Sequence, residues 1–346
     1  MMSVATLGVF SSCHNAKTKF EDFDYTTVYF PYQSPVRTLV LGEDNQVDNT
    51  MDNNHQFQVY ATIGGVYSNQ NDVTIAVEVD NTLCDHLKYV DESGIEYGNV
   101  TALPADYYTL EGEQIQLNKE MQGAVTVQLT DKFFADPEAI NTKYVLPLMM
   151  TRVTGADYLL EGNAVTGVES PIITNVADWA VLPKHYTLYA VKYINPWDAS
   201  YLRRGEDVIV HNGAAPINVK RQAEFVESDE VCSLETMSMD KVKFPYSLTF
   251  NDGSVDITKT CDLELTFSGD KCTIATTTEG VSVESGSGEF KKNTENWGNL
   301  DRNAIYLDYK LAFTDPSGVV TTVTVKDTLV YRSRDMKPET FTFVYE

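Results

Sequence analysis

Alternation constrains this chain more than any other feature. In "HQFQVYATI", "DVTIAVEVD", "EQIQLNK" and "GAVTVQLTD", apolar and polar residues exchange places at almost every step. Period two puts successive side chains on opposite faces of an extended backbone, so these runs read as half-buried strands. "TTVYFPY" and "YVLPLMMTRV" add two more. Six or seven strands within the first part predict an immunoglobulin-like β-sandwich. Between them, "NTLCDHLKYVDES" predicts a short helical turn capped by Asn81. Further runs follow, from "HYTLYAVKYINP" through "FPYSLTFND", "CDLELTF" and "NAIYLDYKLAFT" to "ETFTFVY". Asn251-Asp252-Gly253 and Asp315-Pro316-Ser317-Gly318 mark turns between them. The chain is therefore expected to be all-β, with a C-terminal antiparallel β-barrel or second sandwich. At 346 residues two domains are the natural division. We place the sandwich at 20–158, a weakly patterned, turn-rich linker at 159–182 and the second domain at 183–346. Both faces of "HYTLYAVKYINP" are largely apolar or aromatic, which suits a closed barrel or a strand between layers.

Charge narrows the partners. Acidic residues number 50 against 26 basic ones, for a net charge of −24. Phosphate binding needs clustered Lys and Arg, and only pairs such as Arg203-Arg204 and Lys291-Lys292 occur, so nucleic acid is excluded as a partner. Cys261 and Cys272 flank a hairpin whose register sets Cys272 opposite Phe267, which disfavours a disulfide between them. The four later cysteines read as free, core-filling thiols.

The fifth, Cys13, reads differently. "VATLGVF" is too short to span a bilayer, which takes about 20 residues, but fits the end of a signal-peptide core. "FSSC" then has the form of a lipobox: a bulky residue, two small serines and the cysteine that would carry the lipid. Residues 1–19 are thus expected to be a residual lipoprotein signal and tether, with Cys13 lipidated. Several acyl chains anchor stably where one does not.

No catalytic signature stands out. There is no His-Glu-x-x-His, no Cys-x-x-Cys, no Gly-x-Ser-x-Gly and no Asp-x-Asp-x-Glu. No metal or other cofactor is expected. "EDNQVDNTMDNN" at 43–54 is rich in oxygen ligands but lacks the glycine and terminal Glu of a calcium loop, and reads as a solvated loop. The constellation with most chemistry is "NPWDASYLRRGED". Sugar sites pair an aromatic plate with planar hydrogen bonders, and Trp197, Tyr201 and Arg203 supply both. Arg203, rather than Arg204, shares a strand face with Tyr201. The competing reading makes Trp197 and Tyr201 a plug at one end of the barrel. Trp297, in the polar "NTENWGNLDR", is a candidate exposed aromatic.

Three phrases carry a resemblance. "VEVDNTLCDHL", "LPADYYTL" (Leu103, Pro104, Tyr107, Tyr108) and "YVLPLMMTRVT" (Tyr144, Leu146, Pro147, Leu148) resemble an N-terminal β-sandwich domain of Bacteroidetes surface lipoproteins of polysaccharide-utilisation type. That domain is also found ahead of chitinase-like endoglycosidase modules. "YTLYAVKYINPWDASYLRRGEDVI" is similar to the opening of an all-β, lipocalin-like domain paired with it. The resemblance implies an outer-membrane, lipid-anchored, surface-exposed protein that binds a glycan without catalysis and sits beside other glycan-uptake proteins. The family offers no catalytic residues to transfer. An adhesin or structural component of a surface assembly, and a glycoside hydrolase whose carboxylates the sequence does not single out, remain alternatives.

Overall fold

The computed structural model describes residues 22–44, 47–334 and 336–346. Cys13 and its lipobox lie outside the described residues. The chain is all-β, built as a sandwich and a barrel.

One sheet of the sandwich runs, in spatial order, Tyr158–Leu159, Thr27–Tyr29, Gln56–Gly64, Gln122–Leu129, Tyr108–Leu110. The other runs Glu339–Thr340, Pro35–Val40, Tyr186–Ile194, Tyr144–Thr154, Asp72–Val79, Gln114–Asn118. Alternation does what the sequence implies: Phe57, Val59 and Ile63 turn inward and share a core with Ile75, Val77, Leu146 and Leu148.

The domain boundary at 183 needs correction. Tyr186–Ile194 belongs to the sandwich, antiparallel to Tyr144–Thr154 and parallel to Pro35–Val40. Its two apolar faces have a physical reason. Val191 and Tyr193 enter the main sandwich core. Tyr186, Leu188 and Ala190 enter a second core. That core is roofed by a small sheet of Leu87–Val90, Glu96–Asn99 and Thr342–Tyr345. The strand is central, covered above and below. The last strands of the chain also return to the sandwich, Glu339–Thr340 pairing with Pro35–Val40 and Phe341 packing into the second core.

The barrel is therefore inserted between two strands of the sandwich. Its strands are Ala199–His211, Glu230–Ser238, Lys241–Asn251, Asp256–Ser268, Lys271–Thr276, Val281–Trp297, Leu300–Thr314 and Val320–Ser333. Each is antiparallel to the next, and the last closes on the first from Ser200↔Ser333 to His211↔Thr321. Closure abolishes the sheet edges and decides for a barrel over a second sandwich. Ile217–Arg221 pairs beside the second half of the first strand. Gly205 sits at the closing seam, where a Cβ would lie 2.0 Å from the Lys326 carbonyl oxygen. The lumen is packed with Tyr201, Phe244, Tyr246, Leu263, Leu307, Tyr309 and Val325, all at most 3% exposed. Cys272 pairs with Phe267, as the hairpin register requires. Burial pushes the Cys261 and Cys272 thiols up to about 12, which leaves them protonated and inert at neutral pH.

Candidate functional site

Arg203 and Tyr201 do share a face, but it is the inner face of the barrel. Tyr201 is 1% and Arg203 2% exposed, which corrects their assignment to a surface sugar site. In a closed barrel the inward positions of every strand point into the lumen, and a local alternation pattern does not reveal closure. Arg203 donates to Asp327 from Nε (3.2 Å) and Nη2 (3.1 Å), and its guanidinium lies over the Tyr246 ring at 4.9 Å. Asp327 also accepts from Arg221 (2.6 Å) and from the Tyr309 hydroxyl (2.7 Å). Arg221 in turn clamps Asp207 at 2.6 and 2.9 Å. Two guanidinium groups and two carboxylates balance. Burial opposes the Arg203 charge, but the facing Asp327 carboxylate outweighs it and holds the pKa above its ordinary value. Arg204 points outward to a buried Asp229 at 2.6 Å.

Tyr201 has a different structural task. Its hydroxyl donates to the Trp197 carbonyl oxygen at 2.8 Å. Asn195 pins the same loop: its side-chain amide donates to Ser238 O (2.8 Å) and Lys241 O (2.9 Å), and its Oδ1 accepts from the Trp197 and Asp198 amides (both 3.1 Å). Arg334 fastens the loop from the other side, donating to Asn195 O (3.2 Å) and Pro196 O (2.8 Å). The Trp197 ring stacks on Phe267, centroids 3.9 Å apart and planes 7° off parallel. One face of Trp197 is thus spent on plugging the barrel end, yet the residue is only half-buried. Its remaining surface lines a cleft of about 280 Å³ with Phe290, Tyr331, Asp270, Lys292, Asn303 and Arg334.

The sandwich closes one side of this cleft through Gly42 and Glu43. Gly42 has φ +85°, and a Cβ there would meet Pro196 Cβ at 2.6 Å, so the two bodies touch backbone to ring at this point. Glu43 reaches Lys292 of the barrel at 2.7 Å. Beyond Arg334 lies a second, wider cleft of about 510 Å³ between Pro35–Val40, the loop after Gly42 and the chain leaving the barrel. Its floor corrects the solvated-loop reading of 43–54. Asp52 is buried, pairs with Arg37 and accepts from the Val40 amide at 2.9 Å. Burial raises its pKa despite these partners. Asp52 holds the short helix Thr50–Asn53 against the sheet. Among the described residues, no group of His, Cys, Asp and Glu is placed to hold a metal ion.

Trp297 does not offer a free plate on both sides. Its Nε1 donates to Tyr331 O at 3.0 Å, and Arg302 covers the ring at 4.1 Å. Of the four ligand-binding candidates, Trp197 and Tyr201 line the cleft, and of these two only Trp197 carries accessible surface, Tyr201 being buried. Sequence reading missed Arg334, Lys292, Asn303, Tyr331 and Glu43. They come from both bodies and are far apart in the chain, so no local spacing signals them.

Comparison with known proteins agrees with this architecture. Residues 196–335 match a family described as a domain of unknown function, DUF5627, and residues 23–157 match a family described as a "-like, N-terminal domain". A solved structure from Bacteroides ovatus, described as structural genomics of unknown function, is 41% identical, covers 94% of this chain and 100% of its own, and superposes with a TM-score of 0.84. This chain belongs to the same family as that Bacteroides protein. The two matched ranges flank Tyr186–Ile194, the strand by which the sandwich continues past its matched segment. An auxiliary nutrient binding protein from Bacteroides thetaiotaomicron VPI-5482 is matched over 85% of this chain and 90% of its own at 13% identity and a TM-score of 0.35, too distant to carry an argument. No curated protein matches.

Proposed function

We propose that this chain is a non-catalytic glycan-binding protein of the cell surface, tethered through a lipid on Cys13, which holds an oligosaccharide in the cleft between sandwich and barrel. One observation carries the reading. Trp197, Phe290 and Tyr331 line the same cleft as Arg334, Asn303, Lys292 and Asp270, so apolar aromatic surface and hydroxyl-binding groups converge at a junction of two bodies. Ligand sites favour such junctions. Phe267 behind the Trp197 ring and Arg334 on its loop hold the aromatic in place before any ligand arrives, which lowers the ordering cost of binding.

The test is a glycan array with the purified protein, followed by calorimetry on each hit with Lys292→Ala and Asn303→Ala. Lys292 is exposed at the rim, whereas Asn303 is half-buried and accepts from the Asn293 amide at 3.1 Å. The melting temperature should therefore hold in Lys292→Ala and fall slightly in Asn303→Ala, while affinity falls about tenfold in each, the cost of roughly one good polar contact. Unchanged affinity in both variants would remove the glycan from this cleft. The anchor is tested separately. Mass spectrometry of a membrane fraction should find Cys13 acylated in the full-length precursor and the lipid lost in Cys13→Ala. A wild-type protein without lipid ends that part of the reading.

A further inference from the structure

A second aromatic recess lies on the sandwich. Where the chain leaves Thr27–Tyr29 and crosses to Pro35–Val40, it forms a trough of about 280 Å³. Tyr32 and Tyr60 line it and are 67% and 45% exposed. Tyr189, backed by a stack on Phe57 at 5.5 Å, is part of its apolar lining. Two large aromatics exposed beside one recess form an apolar patch with its lining, and such patches mark contact sites. The Tyr32 backbone and the Tyr60 side chain are both anchored. The buried Thr187 hydroxyl donates to Tyr32 O at 2.9 Å, and the Tyr60 hydroxyl donates to Gln58 Oε1 at 2.6 Å. Gln122, exposed, also lines the trough, and among the described residues its side-chain amide has no hydrogen-bond partner. Among the described residues, none of those that line it is charged, on a chain of net charge −24. The junction cleft, by contrast, is lined by Arg334, Lys292, Asp270 and Glu43.

We infer that this trough is a second binding site, for a neutral sugar ring of a glycan. The two phenol rings supply apolar plates for the C–H face of the ring, and the Gln122 amide supplies a donor and an acceptor for its hydroxyls. An uncharged lining has nothing to offset the desolvation of a carboxylate or ammonium, so acidic and amino sugars are disfavoured there. The inference shares only its ligand class with the junction cleft and rests on different residues.

Native affinity gels containing laminarin, xylan, mannan, starch, polygalacturonate or alginate test it, with the whole chain as wild type, Tyr32→Ala/Tyr60→Ala and Trp197→Ala. At least one neutral polymer should retard the wild type, and the double tyrosine variant should lose about tenfold in affinity with an unchanged melting temperature. Loss in Trp197→Ala but not in the tyrosine variant overturns this site and leaves the junction cleft standing. Loss in the tyrosine variant alone supports the trough and removes the cleft. Retardation only by polygalacturonate or alginate, or by no polymer, overturns it. So does a proline-rich decapeptide that binds the wild type in calorimetry, fails on the tyrosine variant and has no polysaccharide counterpart.

Discussion

Asp327 receives two guanidinium groups and a phenol in the barrel interior, where water screens nothing. Its neighbours have fewer alternatives than it does. If Asp327 becomes Asn, Arg203 loses its close buried carboxylate and keeps only the longer, half-exposed contact to Glu230 at 3.7 Å, while Arg221 keeps Asp207. An uncompensated buried charge costs about 3–5 kcal/mol. If Arg203 becomes Met, Asp327 keeps Arg221 and Tyr309, and a chain of similar volume fills the space. Urea melts should therefore rank Asp327→Asn well below Arg203→Met, with the second within about 2 kcal/mol of wild type. Equal losses would mean that the network is not centred on Asp327. The same network settles what Arg203 does: it is spent inside the barrel and leaves no donor for a ligand outside.

At the scale of single elements, much was legible, and the misses have physical causes. The period-two pattern located the strands and the hairpin that sets Cys272 against Phe267, and the turn-forming residues located the Asn251 and Asp315 turns. It also separated Arg203 from Arg204 correctly, because alternation is a property of one strand. What a strand faces is a property of the fold. "YTLYAVKYI" was apolar on both sides, and either a barrel wall or a central sandwich strand satisfies that. Only pairing with Tyr144–Thr154 and Pro35–Val40, both earlier in the chain, the first more than 30 residues back and the second about 150, decides it. The short helical turn begins a residue early, with Asp80 rather than Asn81 accepting from the Thr82 amide at 3.0 Å. The candidate sites were least legible. Trp197 stood out because tryptophan is rare here, but Tyr32 and Tyr60 were two among 20 tyrosines, and nothing local distinguishes a tyrosine beside a recess from one in a core.

At the scale of the whole molecule, the barrel is a guest within the sandwich. The chain leaves the sandwich after Ile194, builds the barrel and returns by Glu339. The two crossing points are adjacent, since the Arg334 side chain spans from one to the carbonyls of Asn195 and Pro196 on the other. A piece ending at residue 158 therefore lacks a central strand as well as the strands at Glu339–Thr340 and Thr342–Tyr345. Losing the burial of Tyr186, Leu188, Val191 and Tyr193 alone removes on the order of 6–12 kcal/mol, comparable to the about 5–15 kcal/mol by which a domain is stable. Residues 20–158 alone should give a broad, uncooperative melt. Residues 22–194 joined by a short Gly-Ser linker to 336–346 should melt cooperatively, because every strand of both sheets is then present. Residues 196–334 should also fold alone, since the barrel closes on itself and keeps its buried charges paired. Calorimetry on the three pieces checks the topology directly. A sharp transition for 20–158, or none for the rejoined sandwich, would mean that Tyr186–Ile194 is dispensable and that the sandwich is complete without it.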